Sequence, residues 1–276
     1  MARRPTTKTD AGPIDIDPVQ RTEIRIFVLG LEPLIFNAVS QKAQRELLYP
    51  TGRKNAAARA SSLKHVPIEE YRASVYRFKH DRAPTRLCLP ATCFKKALRQ
   101  AALRVPGVAK TEISQLIWTR GDGDLSADWI PVYGVPQLLM SVVRNSDQNH
   151  TPDIRTRAIL PRWCCSFRLI YVSPLLTGRT VVNLTNTSGL ICGVGDFRQE
   201  KGAGSYGQFE IVDPDNAEFA EIARATMLAD QDAALEKPEF YDFDSESNFT
   251  WFEAERRRRG REPIPEDDDE DLEDAA

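Results

Sequence analysis

Residues 192–212 read Cys-Gly-Val-Gly-Asp-Phe-Arg-Gln-Glu-Lys-Gly-Ala-Gly-Ser-Tyr-Gly-Gln-Phe-Glu-Ile-Val and hold five of the chain's fifteen glycines, at Gly193, Gly195, Gly202, Gly204 and Gly207. Glycines this dense let a backbone take φ > 0 and lie close against a ligand, while Arg198 and Lys201 supply charge that meets phosphate. The chemistry spelled here is anion binding by a loop, and a long hairpin turn is the competing reading of the same residues. A dinucleotide fingerprint is poorly supported, because the spacing is wrong and a strand-like stretch follows the glycines. A P-loop is excluded by the missing Gly-Lys-Ser/Thr ending.

Catalytic chemistry has little to stand on. His65, His80 and His150 lie in polar or basic surroundings with no partner at motif spacing, so surface roles are expected for them. Asp122, Asp124 and Asp128 sit in Gly-Asp-Gly-Asp turn chemistry, and the calcium-loop pattern does not continue. No metal, no cofactor and no catalytic residue is therefore expected. The five cysteines show no Cys-x-x-Cys pair, which suits reduced thiols in a cytoplasm. No run approaches ~20 apolar residues, so no membrane span is expected.

Charge is partitioned along the chain. Residues 210–276 carry 23 acids and 7 bases and residues 1–209 carry 17 acids and 30 bases, which makes the body +13 and the C-terminal part −16. A basic body with an acidic tail suits a protein that meets a polyanion, with the tail screening the basic surface or binding a partner protein. Between residues 41 and 110 there are 16 Lys or Arg against 4 acids, with Tyr49, Tyr71, Tyr76 and Phe78 interleaved. That mixture suits a groove that tracks a nucleic-acid backbone while bases stack on rings.

The elements that would position these groups follow from periodicity. Residues 1–22 read as a disordered arm. Residues 23–29 alternate Ile24, Ile26 and Val28 with charged neighbours, as a half-buried strand does. After the short strand 87–90, Thr92 is placed to cap a helix whose apolar face is Phe94, Ala97, Leu98 and Ala101, leaving Lys95, Lys96 and Arg99 on the other side. Residues 113–118 and 129–132 read as strands around a hairpin turn, with further strands at 138–143 and 163–172, and Arg155, Arg157 and Arg162 gather before the last. Residues 177–191 read as a helix of weak propensity, 217–235 as a helical extension lying within 213–238, and 239–276 as an acidic, disordered tail.

Three landmarks occur in order: the strand running into Gly30-Leu-Glu-Pro-Leu, the segment Leu89-Pro-Ala-Thr-Cys-Phe-Lys-Lys-Ala-Leu-Arg99, and the glycine loop before a last strand. In them the chain resembles the RAMP superfamily, in particular the Cas7-like backbone subunits of CRISPR effector complexes. There a strand ending in Pro-Gly-Ser-Ser leads into a Lys-Gly-Ala-Leu-Arg helix; here Lys95, Ala97, Leu98 and Arg99 match, Lys96 replaces the glycine, and Pro90-Ala91-Thr92-Cys93 replaces Pro-Gly-Ser-Ser. The segments 155–163 and 193–198 also resemble a set of bacteriophage proteins.

The resemblance covers residues 23–212 and implies an α+β fold: a ferredoxin-like (RRM-like) core with insertions, the basic one at about 38–86, between a flexible N-terminal arm and an acidic C-terminal tail. It implies non-catalytic binding of single-stranded RNA along the sheet and glycine loop, with homo-oligomeric or filament assembly and possible effector-complex partners. A phage setting makes single-stranded DNA equally admissible. The residues expected to meet nucleic acid are Lys54, Arg59, Tyr76, Lys95, Lys96, Arg99, Arg155, Arg157, Gly193, Gly195, Arg198, Lys201, Gly204 and Gly207. Glu32 follows the first strand, but no counterpart stands for the aspartate that cuts RNA in some of these subunits. Two alternatives remain: a Cas6-like metal-independent endonuclease using His65 or His80 with Tyr76, and a phage structural or host-interaction protein.

Overall fold

A computed structural model describes residues 18–49, 63, 65–121, 127–144, 151–201 and 204–260. Its centre is a curled antiparallel sheet in the order β10-β1-β9-β6-β4-β3, formed by β1 (Gln20–Gly30), β3 (Tyr76–Arg77), β4 (Leu87–Pro90), β6 (Trp129–Tyr133), β9 (Cys164–Ser173) and β10 (Phe209–Val212). β5 (Ile117–Arg120) also pairs with β9, so β5 and β6 lie in tandem along one side of it. β2 (Leu34–Ile35), β8 (Pro152–Leu160) and β7 (Gln137–Arg144) make a second, three-stranded sheet.

One face of the main sheet is closed by α3 (Thr92–Ala101) and α5 (Gly178–Ile191). Ile26 and Val28 of β1 and Phe167 and Leu169 of β9 share a buried cluster with Phe94, Ala97 and Leu98 of α3 and Val181 and Leu184 of α5. The α3 stripe is the i, i+3, i+4, i+7 pattern of an amphipathic helix, and Thr92 is its first residue rather than its cap. Phe94 stacks 4.4 Å from Phe167 and 5.5 Å from Phe209, centroid to centroid, which ties the helix to both halves of the sheet.

α5 is rich in poor helix formers. Its buried hydroxyls are satisfied inside the helix, Thr185 Oγ1 donating to the Val181 carbonyl and Ser188 Oγ to the Thr185 carbonyl, each at 2.7 Å. Burial against the sheet then outweighs intrinsic propensity. At Gly189 a Cβ would run into the Phe209 carbonyl, so glycine is what lets α5 lie this close to β10.

Other helices fasten the edges: α1 (Gln41–Leu48), α2 (Pro67–Ala73), α4 (Lys110–Leu116), α6 (Ala217–Ala225), α7 (Leu228–Glu236) and α8 (Phe243–Arg258). From α7, the wholly buried Gln231 donates to the carbonyls of Val132 and Gly134 at 3.0 and 2.8 Å and accepts from Leu87 N–H at 2.8 Å, joining β4 and β6. Several expectations differ from what is found: β1 begins at Gln20, inside the expected arm, and β5 and β6 each pair with β9 and not with each other as a hairpin. Residues 110–116 form a helix before β5 begins, and residues 243–258, expected to lack structure, form α8, whose Asp242 cap accepts from Ser245 N–H at 2.7 Å. Ser245 is itself buried and accepts from Met140 N–H of β7 at 2.9 Å, and Phe249 packs against the core with its ring 5.2 Å from that of Phe240, so α8 is anchored by one polar and one aromatic contact.

Candidate nucleic-acid interface

On the sheet face away from α3 and α5, the odd-numbered residues of β1 meet the even-numbered residues of β9 and β5. Pleating forces this, since successive side chains point to opposite faces. At one end α6 covers the face, where Phe219 and Ile222 pack on Leu29 and Cys164, and Phe219 meets the Phe27 ring at 5.5 Å. Past Phe27 the surface opens: Arg21, Glu23 and Arg25 are exposed.

The register arranges this open part in cross-strand rows. Arg25 pairs with Arg168, which pairs with Arg120, giving a row of three cations; one step along, Glu23 pairs with Ile170, which pairs with Trp118. Rows on one face lie about 7 Å apart and neighbouring strands about 4.8 Å apart. Arg168 Nη1 lies 3.5 Å from Glu23 Oε1, Arg168 Nε donates to the Gly121 carbonyl at 3.1 Å, and Arg120 pairs with Asp128 at 3.1 Å. The Arg21 guanidinium sits 4.8 Å from the centre of the Trp118 ring. Like charges directly opposite each other destabilise a sheet, and here the Glu23 and Asp128 carboxylates beside Arg168 and Arg120 lessen that cost.

Of the residues expected from sequence, Lys95 reaches this surface: its ammonium lies 5.7 Å from the Trp118 ring. Burial, reinforced by the Arg99 charge, lowers the pKa of Lys95. Lys96 is exposed, and Arg99 is half-buried with its Nε in contact with no acceptor among the described residues. Arg21, Glu23, Arg25, Trp118, Arg120, Arg168 and Ile170 were not anticipated. The signal was present in β1, where Arg21, Glu23 and Arg25 alternate with Ile24, Ile26 and Val28.

The glycine loop is folded on itself and on β2. Val194 N–H donates to the Gly207 carbonyl at 2.9 Å, Asp196 N–H to the Ile35 carbonyl at 2.9 Å, Gly207 N–H to the Pro33 carbonyl at 2.8 Å and Gly193 N–H to the Ser188 carbonyl at 3.0 Å. Gly193, Gly195 and Gly207 take φ of 70°, 84° and 71°. A Cβ at Gly207 would strike the Val194 carbonyl and one at Gly204 the Phe197 carbonyl, so these glycines admit close chain-to-chain packing. The amides of Gly193 and Gly207, expected on sequence grounds to face a ligand, are spent within the fold. Arg157 closes the same unit by an ion pair to Asp196 at 2.6 Å. Arg198 donates to the Gly195 carbonyl at 3.2 Å and lies 3.7 Å from Glu200, leaving its buried Nε with no acceptor among the described residues. Lys201 belongs to a short 3-10 turn, Gln199–Lys201.

The remaining candidates are dispersed. Arg155 pairs with Asp153 at 3.5 Å, Tyr76 packs its ring 5.4 Å from Trp129, and Lys54 and Arg59 lie outside the described residues. His65 sits between two carboxylates, Nδ1 2.6 Å from Glu70 and Nε2 3.0 Å from Asp153, whereas His80 is exposed beside Phe78 at 5.9 Å. None of these contacts brings Tyr76 to either histidine. Burial pushes the thiols of Cys88 up to about 12 and Cys192 up to about 11, which keeps both protonated and unreactive at neutral pH. Among the described residues no group of His, Cys, Asp and Glu is arranged to hold a metal ion, and no helix is long and apolar enough to cross a membrane. No protein-family model matches the chain, and no curated protein does.

Proposed function

We propose that the protein is a non-catalytic binder of single-stranded nucleic acid, and that the open face of the main sheet is its principal contact surface. The observation that carries this reading is the Arg25–Arg168–Arg120 row lying one step from the Trp118 ring. Clustered guanidinium groups take phosphates, and an aromatic ring one row away takes a base, the pairing that non-specific single-strand binders use. Double-stranded nucleic acid fits less well, since its bases are not available for stacking on a sheet.

The reading of the fold as ferredoxin-like with insertions belongs to the same proposal. It is supported by the order β10-β1-β9-β5, by α3 lying between β1 and β5 in the chain, and by α5 lying between β9 and β10. The resemblance to RAMP proteins favours RNA over DNA, a cytoplasmic setting and assembly of several copies along the ligand.

The test is binding of a fluorescent single-stranded RNA followed by anisotropy as salt rises. Log affinity falls linearly with log salt, with a slope near ~0.7 per phosphate contacted. The Arg25→Ala/Arg168→Ala double variant lowers both affinity and slope. Affinity indifferent to salt, or untouched in the double variant, overturns the proposal.

A further inference from the structure

The row next to the arginines has a composition of its own. Glu23, Ile170 and Trp118 stand side by side across β1, β9 and β5, so the sheet places a carboxylate, an apolar side chain and an indole within two strand spacings. A base seated over Ile170 has the Trp118 ring on one side and the Glu23 carboxylate on the other. Its phosphate then falls about 7 Å away, on the arginine row.

An acidic side chain on a surface built for a polyanion repels the backbone. Glu23 is exposed, and its ion pair with Arg168 at 3.5 Å holds the carboxylate over the face. A carboxylate accepts hydrogen bonds and donates none, so it favours a base edge that presents donors. Guanine presents two neighbouring donors, N1–H and the 2-amino group, which match the two carboxylate oxygens in the parallel, bidentate manner of a guanidinium–carboxylate pair. Adenine and cytosine present one amino group beside a ring-nitrogen acceptor, and uracil presents one N–H between two carbonyls; each sets an acceptor against the carboxylate.

We infer that Glu23 is a specificity-determining residue that makes the open face prefer single-stranded nucleic acid containing guanine. The inference rests on the nucleic-acid reading above and adds to it a base and a residue that reads it. Trp118 and Ile170 supply sequence-tolerant stacking, and Glu23 supplies the choice.

The experiment uses the full chain and four ten-nucleotide RNAs: all uracil, and uracil with one central guanine, adenine or cytosine. Anisotropy titrations are run for the unaltered protein, Glu23→Gln and Trp118→Ala, with circular dichroism melting to establish that each variant folds. The guanine ligand binds the unaltered protein about tenfold tighter than the other three, as one bidentate base contact provides. Glu23→Gln binds all four within about twofold of one another, and Trp118→Ala weakens all four alike while keeping the guanine preference. Equal affinity of the unaltered protein for the four RNAs, or a guanine preference that survives in Glu23→Gln, overturns the inference and leaves the binding reading standing. Absence of salt-dependent binding to any of the four overturns both.

Discussion

Arg25 on β1 and Arg168 on β9 stand opposite each other in register on the open face of the sheet, two like charges on adjacent strands. Arg168 is steadied by Glu23 and the Gly121 carbonyl, and Arg25 lies 3.4 Å from Ser166 Oγ and 5.1 Å from the Phe27 ring. Directly opposed like charges cost a few tenths to ~1 kcal/mol. Removing Arg25 therefore separates binding from stability: Arg25→Ala leaves the melting temperature unchanged or slightly raised while weakening single-strand affinity about 5- to 30-fold, roughly 1–2 kcal/mol. Melting by circular dichroism and anisotropy on one preparation check this, and a parallel fall in both quantities would assign Arg25 to the fold instead.

The glycine loop makes the contrasting case. Gly207 has φ of 71°, a region L side chains rarely adopt, and its missing Cβ is what admits the Val194 carbonyl. Gly207→Ala costs stability by about 1–3 kcal/mol, since strain and collision act together. Arg198→Ala with Lys201→Ala leaves every glycine in place and lowers affinity far less than the Arg25→Ala/Arg168→Ala pair. A double loop variant that loses more binding than the sheet variant would return the phosphate contacts to the loop.

How much of this was legible in the sequence depended on the range of the interaction that decides each element. The apolar spacing of Phe94, Ala97, Leu98 and Ala101 is local, and α3 lies where that spacing puts it. β1 was legible for the same reason. The face that β1 shares with Arg168 and Trp118 was not, because its composition depends on β1 pairing with a strand about 140 positions away and on which of β1 and β5 flank it. In the glycine loop the number of glycines was legible, but their use against Pro33, Ile35 and Phe197 arises only on folding. α8 carries no continuous apolar stripe, and the contacts that fasten it, the Ser245 hydroxyl on a strand amide and the Phe249 ring on Phe240 and the core, arise only on folding.

Gln231 illustrates a polar group that the fold cannot lose. Its side-chain amide is fully buried and serves three backbone groups, Leu87 N–H and the carbonyls of Val132 and Gly134. Gln231→Leu keeps roughly the volume and strands all three. With each buried unsatisfied group costing about 1–3 kcal/mol, the loss is expected at about 3–5 kcal/mol after partial relaxation, more than that of any single arginine on the open face. Urea unfolding at constant m-value measures it, and a change under about 1 kcal/mol would mean that water replaces the amide.

The buried thiols make stability fall at high pH. Cys88 and Cys164 are both pushed up to about 12 and Cys192 to about 11 by burial, whereas a thiol in the unfolded chain titrates near ~8.5. A thiol whose folded pKa is raised ionises first in the unfolded state. Its contribution is therefore complete below the unfolded value and is lost as pH rises from about 8.5 towards the folded values, by at most ~1.4 kcal/mol per pH unit for each thiol. Urea midpoints should be level from about pH 7 to 8 and decline between about pH 9 and 11, in reductant throughout. Replacing Cys88 by alanine should make that decline shallower at the expense of a lower plateau, because the cavity costs stability at every pH while the titration is removed. A decline equally steep in the Cys88→Ala variant would assign the alkaline loss to other groups, the tyrosines and lysines that titrate in the same range.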